Sequence, residues 1–203
     1  MYRIALILAL ALFAASCGGR RSRPQQTACV SQPRVFLPAI APARLSPQEQ
    51  RDYLRWHYWD RFDFADTLFV READTAQMVE AYARWVALIS DRPADAAPMD
   101  SLMRRASASR PMLDYFTMLA QQVIHDPNSP LRNDEFYIPV MQAVLASPYY
   151  DEYERIGPAY DLAMASQNRL GQRANDFRYT LASGATGTLY RSEERRVGKE
   201  CTS

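Results

Sequence analysis

No two cysteines lie close enough in this sequence to make a CxxC pair, and HExxH, GxSxG and glycine-rich phosphate loops are absent from all 203 residues. The common signatures of dithiol, zinc-hydrolase, serine-hydrolase and nucleotide-binding sites are therefore missing from this stretch of chain. Histidine is also scarce: His57 and His125 are far apart, which leaves few donors for a metal site that needs three or four protein ligands. Lysine occurs once, at Lys199, every other basic residue being arginine. Basic and acidic residues nearly balance at 24 and 23, with no basic patch interleaved with aromatics, so no nucleic-acid partner is expected. The apolar run from Ile4 to Phe13 is too short to span a bilayer, about 15 Å of helix against a hydrocarbon core of about 30 Å.

That run has another use. Met1-Tyr2-Arg3 is a short basic start, the run itself is a signal h-region, and the small residues Ala14-Ala15-Ser16 lead directly to Cys17. This is the pattern of a lipoprotein signal, in which residues 1–16 are removed and the Cys17 thiol receives the lipid. Several acyl chains on Cys17 would give stable attachment where one would be marginal. Gly18 follows, with Arg20, Arg21 and Arg23 behind it and no acidic cluster, which resembles lipoproteins sorted to the outer membrane and facing the periplasm. The expected partner at this end is therefore the membrane, through the lipid anchor at Cys17. Residues 17–43 hold Pro24, Pro33, Pro38 and Pro42 among small polar residues and read as a tether, with an end-to-end distance of roughly 28 Å if flexible. Val35-Phe36-Leu37 is the one stretch of it suited to docking as a short strand.

The region 44–168 reads as one all-α domain of about five to seven helices. Ser46-Pro47-Gln48-Glu49 is a capping box with proline at the first helical position, opening a helix to about Asp60. Tyr53, Leu54, His57 and Tyr58, flanked by Trp56 and Trp59, make that helix aromatic nearly all round and predict its burial. A second helix opens at Asp74, with Gln77 as box partner and Met78, Tyr82, Trp85, Val86 and Ile89 as its stripe. Met99 to Ala106 marks a third, and Met112 to Val123 a fourth after Pro111. His125 to Pro130 is a loop by composition, and a fifth helix carries Tyr137 to Leu145 with Pro139 in its opening turns. One or two short helices follow between Pro148 and Ser166.

Residues 169–190 change character. Phe177, Tyr179 and Leu181 alternate as in a half-buried strand from Arg173 to Leu181, Ser183-Gly184-Ala185 breaks it, and Thr188-Leu189-Tyr190 begins a second extended segment. Gly184 and Gly187 are expected to supply positive φ for this hairpin. The order Gly171, Ala174, Asp176, Phe177, Leu181, Gly184 and Leu189 resembles the entry into a thioredoxin-like redoxin domain. That resemblance implies a CxxC-bearing helix start soon after, which this chain lacks; it reads as truncated before that point. Residues 191–203, RSEERRVGKECTS, resemble a translated sequencing adapter and are read as a non-native tail. With Cys17 lipidated and Cys201 in that tail, Cys29 is the one thiol left and no structural disulfide can form.

The motif HYWDRFDF at 57–64, the Tyr-rich 149–153 segment and the NRxG approach to the strand are similar to a helical domain of unknown function that precedes a redoxin domain in some Gram-negative bacterial lipoproteins. His57, Asp60 and Asp63 are the one constellation on a single element that looks like an acid–base or metal site, yet a histidine among tryptophans is usually structural. His125 beside Asp126-Pro127 reads as a loop turn. No catalytic residue, metal or cofactor is expected in this chain. Two functional readings remain. In one, the chain is the helical part of a membrane-anchored periplasmic thiol–disulfide oxidoreductase, without its active site, whose missing domain would act on protein thiols or disulfides. In the other, it is a non-enzymatic binding lipoprotein. Metabolic labelling of the precursor with a fatty acid should mark the protein, and Cys17→Ser should abolish the label; label that persists would place the anchor elsewhere.

Overall fold

The computed structural model describes residues 33–191 except 91, 93, 94, 168 and 170. The signal region, Cys17, Cys29, Cys201 and the tail from 192 onward lie outside the described residues. Seven α-helices and one π-helical turn precede a two-stranded antiparallel hairpin, the all-α architecture with a terminal hairpin that the periodicity implies.

The first helix, α1 (Pro47–His57), starts at the expected capping box: the Ser46 side chain accepts from the Glu49 backbone N–H, and the Ser46 N–H donates to Glu49 Oε2 at 2.8 Å. The Ser46 hydroxyl, donating to Glu49 Oε2 at 2.7 Å, and then the Ser46 N–H hold the Glu49 carboxyl below its usual range. The helix ends at His57, three residues before the expected point, and it is not buried all round. Trp56 is exposed and Arg55 is its buried side chain. The reason is that the chain leaves the helix after Tyr58, the C-cap, and carries Trp59, Phe62 and Phe64 in turns. Turns closed by Asp60 N–H to His57 O and Phe62 N–H to Trp59 O aim their rings inward instead.

Short α2 (Phe69–Glu72) leads to α3 (Thr75–Ile89), capped by Asp74, whose Oδ1 accepts from the Gln77 N–H at 3.1 Å. The Gln77 side chain does not complete the expected box. It reaches 41 residues back and pairs with both backbone groups of Phe36, accepting from its N–H at 3.2 Å and donating to its carbonyl at 2.8 Å. Beside it, Arg34 and Ala73 form a parallel bridge, with Arg34 N–H to Glu72 O and Asp74 N–H to Arg34 O. Phe36 is buried against Trp59, the rings 4.8 Å apart and 10° from parallel. Arg34 to Phe36, in the stretch read as tether with Val35 to Leu37 suited to docking, is thus an extended strap built into the domain. A single buried aromatic in a proline-rich stretch leaves no periodicity for a sequence argument to use.

Next come α4 (Ala97–Ala106) and α5 (Arg110–Ala120), which runs on into a π-helical turn (Gln121–His125) closed by Asp126 N–H to Gln121 O at 2.9 Å. His125 therefore belongs to the end of this helix, not to a loop. The central helix α6 (Asp134–Ala146) is capped by Asn133, which accepts from the Glu135 and Phe136 N–H groups. Packed among α4, α5, the π turn and α7 (Ile156–Ala165), it buries residues on nearly all sides, including Phe136, Tyr137, Val140 and Met141. Pro139 lies inside it, where its missing N–H costs one ladder bond that a helix enclosed by neighbours tolerates.

The hairpin pairs β1 (Arg178–Thr180) with β2 (Thr186–Thr188), Tyr179 opposite Gly187. Both strands are shorter than the alternating pattern implies, and residues 189–191 turn helical rather than extended. Gly184 has φ +81° in the turn, as expected. Gly187 does not have positive φ; a Cβ there would lie 2.8 Å from Cζ of the Tyr179 ring, which packs over the bare glycine and would have to move aside.

Phe36→Ala should lower the unfolding free energy by about 3–5 kcal/mol, the usual cost of emptying a buried aromatic site. Gln77→Ala, which removes two bonds to Phe36 while leaving the ring, should cost about 1–3 kcal/mol. Urea unfolding followed by tryptophan fluorescence measures both, and wild-type stability in the two variants would show that the strap is not part of the cooperative unit.

Candidate functional site

The sequence singles out His57, Asp60 and Asp63, and the structure brings two of them together. His57 Nδ1 lies 2.7 Å from Asp60 Oδ2, and Tyr53 stacks on the imidazole at 4.2 Å. The other Asp60 oxygen accepts from Arg105 Nη1 at 3.1 Å. Asp63 instead caps its own turn, Oδ1 accepting from the Ala65 N–H at 2.9 Å. Among the described residues no group of three or more His, Cys, Asp or Glu side chains is placed to hold a metal ion. Arg105 explains the arrangement. It also donates to the Trp59 carbonyl at 3.1 Å and lies 4.4 Å from the centre of the Phe64 ring, so the polar members of HYWDRFDF pin the turn that delivers its rings to the core.

His125 stacks face to face on Tyr137, 4.1 Å apart and 11° from parallel. The Tyr137 hydroxyl donates to Asp161 Oδ2 at 3.2 Å, tying α6 to α7, and burial first, then Asp161, pushes that hydroxyl well above its ordinary value. Burial likewise pushes Tyr115 up to about 12. Neither tyrosine is poised to ionise near neutral pH.

Three polar constellations escaped the sequence reading because their members are distant in the chain. Arg55, 3% exposed, pairs with Asp95 at 3.0 Å, while its carbonyl accepts from Trp85 Nε1. Arg110 binds Glu154, donates to the Tyr149 carbonyl at 2.9 Å and lies over the Tyr150 ring, whose hydroxyl donates to Asp114 at 2.6 Å. Tyr149 and Tyr150 of the Tyr-rich segment are therefore clamps, whereas Tyr153 projects into solvent. Last, Arg169 of the NRxG approach meets the buried Glu135 of α6 with Nε at 3.0 and 3.1 Å and Nη2 at 2.5 Å. This fork fixes the chain where it leaves the helices for the hairpin.

Two surface clefts accompany these contacts. One, of about 270 Å³, lies beside the strap and is lined by Arg34, Leu37, Arg61, Asp63, Asp66 and Phe69. The other, of about 350 Å³, lies between α4 and α6 against Asp100, Arg104, Ser107, Gln142 and Pro148. Neither lining contains a histidine or cysteine.

Residues 16–168 match the family described as a domain of unknown function, DUF5106. A crystal structure of a thioredoxin-like protein from Bacteroides caccae ATCC 43185 superposes with a TM-score of 0.67 at 37% sequence identity, covering 77% of this chain and 56% of that one. The chain thus spans little more than half the length of the solved protein. No curated protein matches it. The chain belongs to the DUF5106 family and is related to a thioredoxin-like protein, as its motif and hairpin imply.

The carboxyls of Glu154 and Asp66 are held below their usual range, first by hydrogen bonds from Arg110 and Arg34 respectively. A carboxylate depressed in the folded state adds stability that is present above its unfolded pKa and is lost as pH falls through the folded value. Stability should accordingly drop as pH is lowered from about 5 to about 2, and Arg110→Met should flatten that drop. The pair is partly exposed, so the difference should shrink in high salt. Urea midpoints at acid and neutral pH for both proteins are the check.

Proposed function

We propose that this chain is the helical N-terminal region of a thioredoxin-like thiol–disulfide oxidoreductase, lipid-anchored through Cys17 to the outer membrane and facing the periplasm, with its redox dithiol outside these residues. The observation that carries this is the 37% identity to a thioredoxin-like protein almost twice as long as the matched stretch. The Arg169–Glu135 fork supports it by fixing the point where the chain leaves the helices, as a domain that positions another would require.

In the whole protein one cysteine thiolate would attack a substrate disulfide, forming a mixed disulfide and expelling the first substrate thiolate. The second cysteine would then attack its partner, closing the protein disulfide and releasing the reduced substrate. A dithiol needs Cα atoms about 4.4–6.8 Å apart, and the genuine chain offers only Cys29 once Cys17 is acylated. The helical region therefore contributes no thiol chemistry of its own; it holds the redox domain off the membrane and orients it.

Insulin reduction with dithiothreitol should proceed no faster with residues 18–190 than with buffer, and the reading frame continued through its next domain should accelerate it. Turnover by the short chain that disappears in Cys29→Ala would overturn the assignment. So would a continuation without a dithiol, which would leave the helical region as a binding module.

A further inference from the structure

The outward side of α7 is unlike that of the other helices. Ile156, Tyr160 and Met164 are 65%, 64% and 44% exposed, and at 100° per residue they fall within an arc of about 80°; Tyr153, 83% exposed, stands in the turn just before the helix. The remaining outward positions of the helix are Gly157, Ala159 and Ala163. No charged side chain of α7 interrupts this surface, and Gln167, just past the end of the helix, donates to Met164 Sδ at 3.8 Å. Asp161, the one charge in the helix, is on the inner side, bonded by Tyr137. By contrast, α3 turns the ion pair Glu80–Arg84 to solvent and α4 the pair Asp100–Arg104, as ordinary solvated faces do. A contiguous, uncharged, aromatic-rich face on one helix is the mark of a surface that something covers.

We propose that the outward face of α7 is the docking surface for the thioredoxin-like domain of the same polypeptide. This rests on the functional reading above, and three observations select that occupant. The solved relative extends well beyond the length this chain covers and is thioredoxin-like. The hairpin is an incomplete sheet with Phe177 and Leu181 exposed, and two strands alone are marginal in water, so it is completed by further chain. About a dozen residues separate Ala165 from Arg178, a reach of at most roughly 40 Å, so a domain continued from the hairpin is tethered within reach of α7. Such a link makes docking intramolecular, which favours the attached domain over a second molecule at any ordinary concentration. Tyr and Met suit the contact, giving large apolar area with adaptable packing.

Hydroxyl-radical footprinting read by mass spectrometry reports directly on exposed Tyr and Met side chains. Oxidation of Tyr153, Tyr160 and Met164 should be fast in residues 18–191 and severalfold slower in the protein continued through its thioredoxin-like domain. Exposed Trp56 on α1 should react equally in both. Ile156→Glu in the longer protein should restore oxidation at Tyr160 and Met164 with circular dichroism unchanged. Equal rates in the two proteins would overturn the proposal. Protection of the short chain that grows with its own concentration would instead assign the face to a second copy, and protection only on phosphatidylglycerol vesicles would assign it to the bilayer; either result rejects docking in cis. Insulin reduction by the longer protein separates this from the functional reading: an active protein with an unprotected face loses the docking proposal alone, and one without a dithiol loses both.

Discussion

The indole of Trp59 sits where four separate stretches of chain meet, and their placement follows from it. Phe36 of the strap stacks on it at 4.8 Å, Phe62 of the following loop stands edge-on at 6.0 Å, Trp85 of α3 at 6.0 Å and Phe116 of α5 at 5.3 Å. Each such pair contributes about 0.5–1.5 kcal/mol beyond the area it buries. Their geometric consequence is larger. For Trp59 to enter this cluster, α1 must stop at His57 and the chain must turn, and Arg105 holds the turn by gripping both the Trp59 carbonyl and the Asp60 carboxylate. Residues that look like an acid–base pair are thereby accounted for as the brace of a core, and the ring network has little freedom to rearrange without moving several helices together.

The two ends of the helical domain are secured by the same device, a polar side chain that reaches far along the sequence. Gln77 takes both backbone groups of Phe36 where the chain enters, and Arg169 forks onto Glu135 where it leaves. Between them α6 is enclosed on nearly every side and α7 forms the last layer, bonded inward through Tyr137 and Asp161. The domain is thereby held where the chain enters it and where the chain leaves it. In the proposed reading that fixity is its contribution: it sets where a catalytic domain stands, and the chemistry is left to that domain.

Of the chemically suggestive groups, His57, Asp60, Tyr137 and Arg55 are hydrogen-bonded or ion-paired, and His125 is stacked on Tyr137 with its buried Nδ1 unbonded among the described residues. What is left over is apolar surface, concentrated on α7 and on the exposed Phe177 and Leu181 of the hairpin. Such a surplus suits recognition of a neighbouring domain better than recognition of a small molecule, which calls for a concave site with convergent polar groups.

Local chemistry was enough to fix the class of the fold and several of its joints. The Ser46 capping box, the Asp74 cap, the stripe from Met78 to Ile89 and the turn at Gly184 depend on residues within one or two helical turns of each other, so they are legible in sequence. The HYWDRFDF motif and the hairpin pattern carried the family relationship in the same way. Where α1 ends, what Gln77 binds, what packs over Gly187 and why Arg34 to Phe36 belong to the domain were decided only by tertiary structure. In each case the deciding contact joins residues brought together by packing: Gln77 to Phe36, Arg105 to Asp60, Tyr179 to Gly187, Arg169 to Glu135. Periodicity and capping record what neighbours along the chain prefer; they hold no information about a partner forty residues away, whose position exists only once the core has closed.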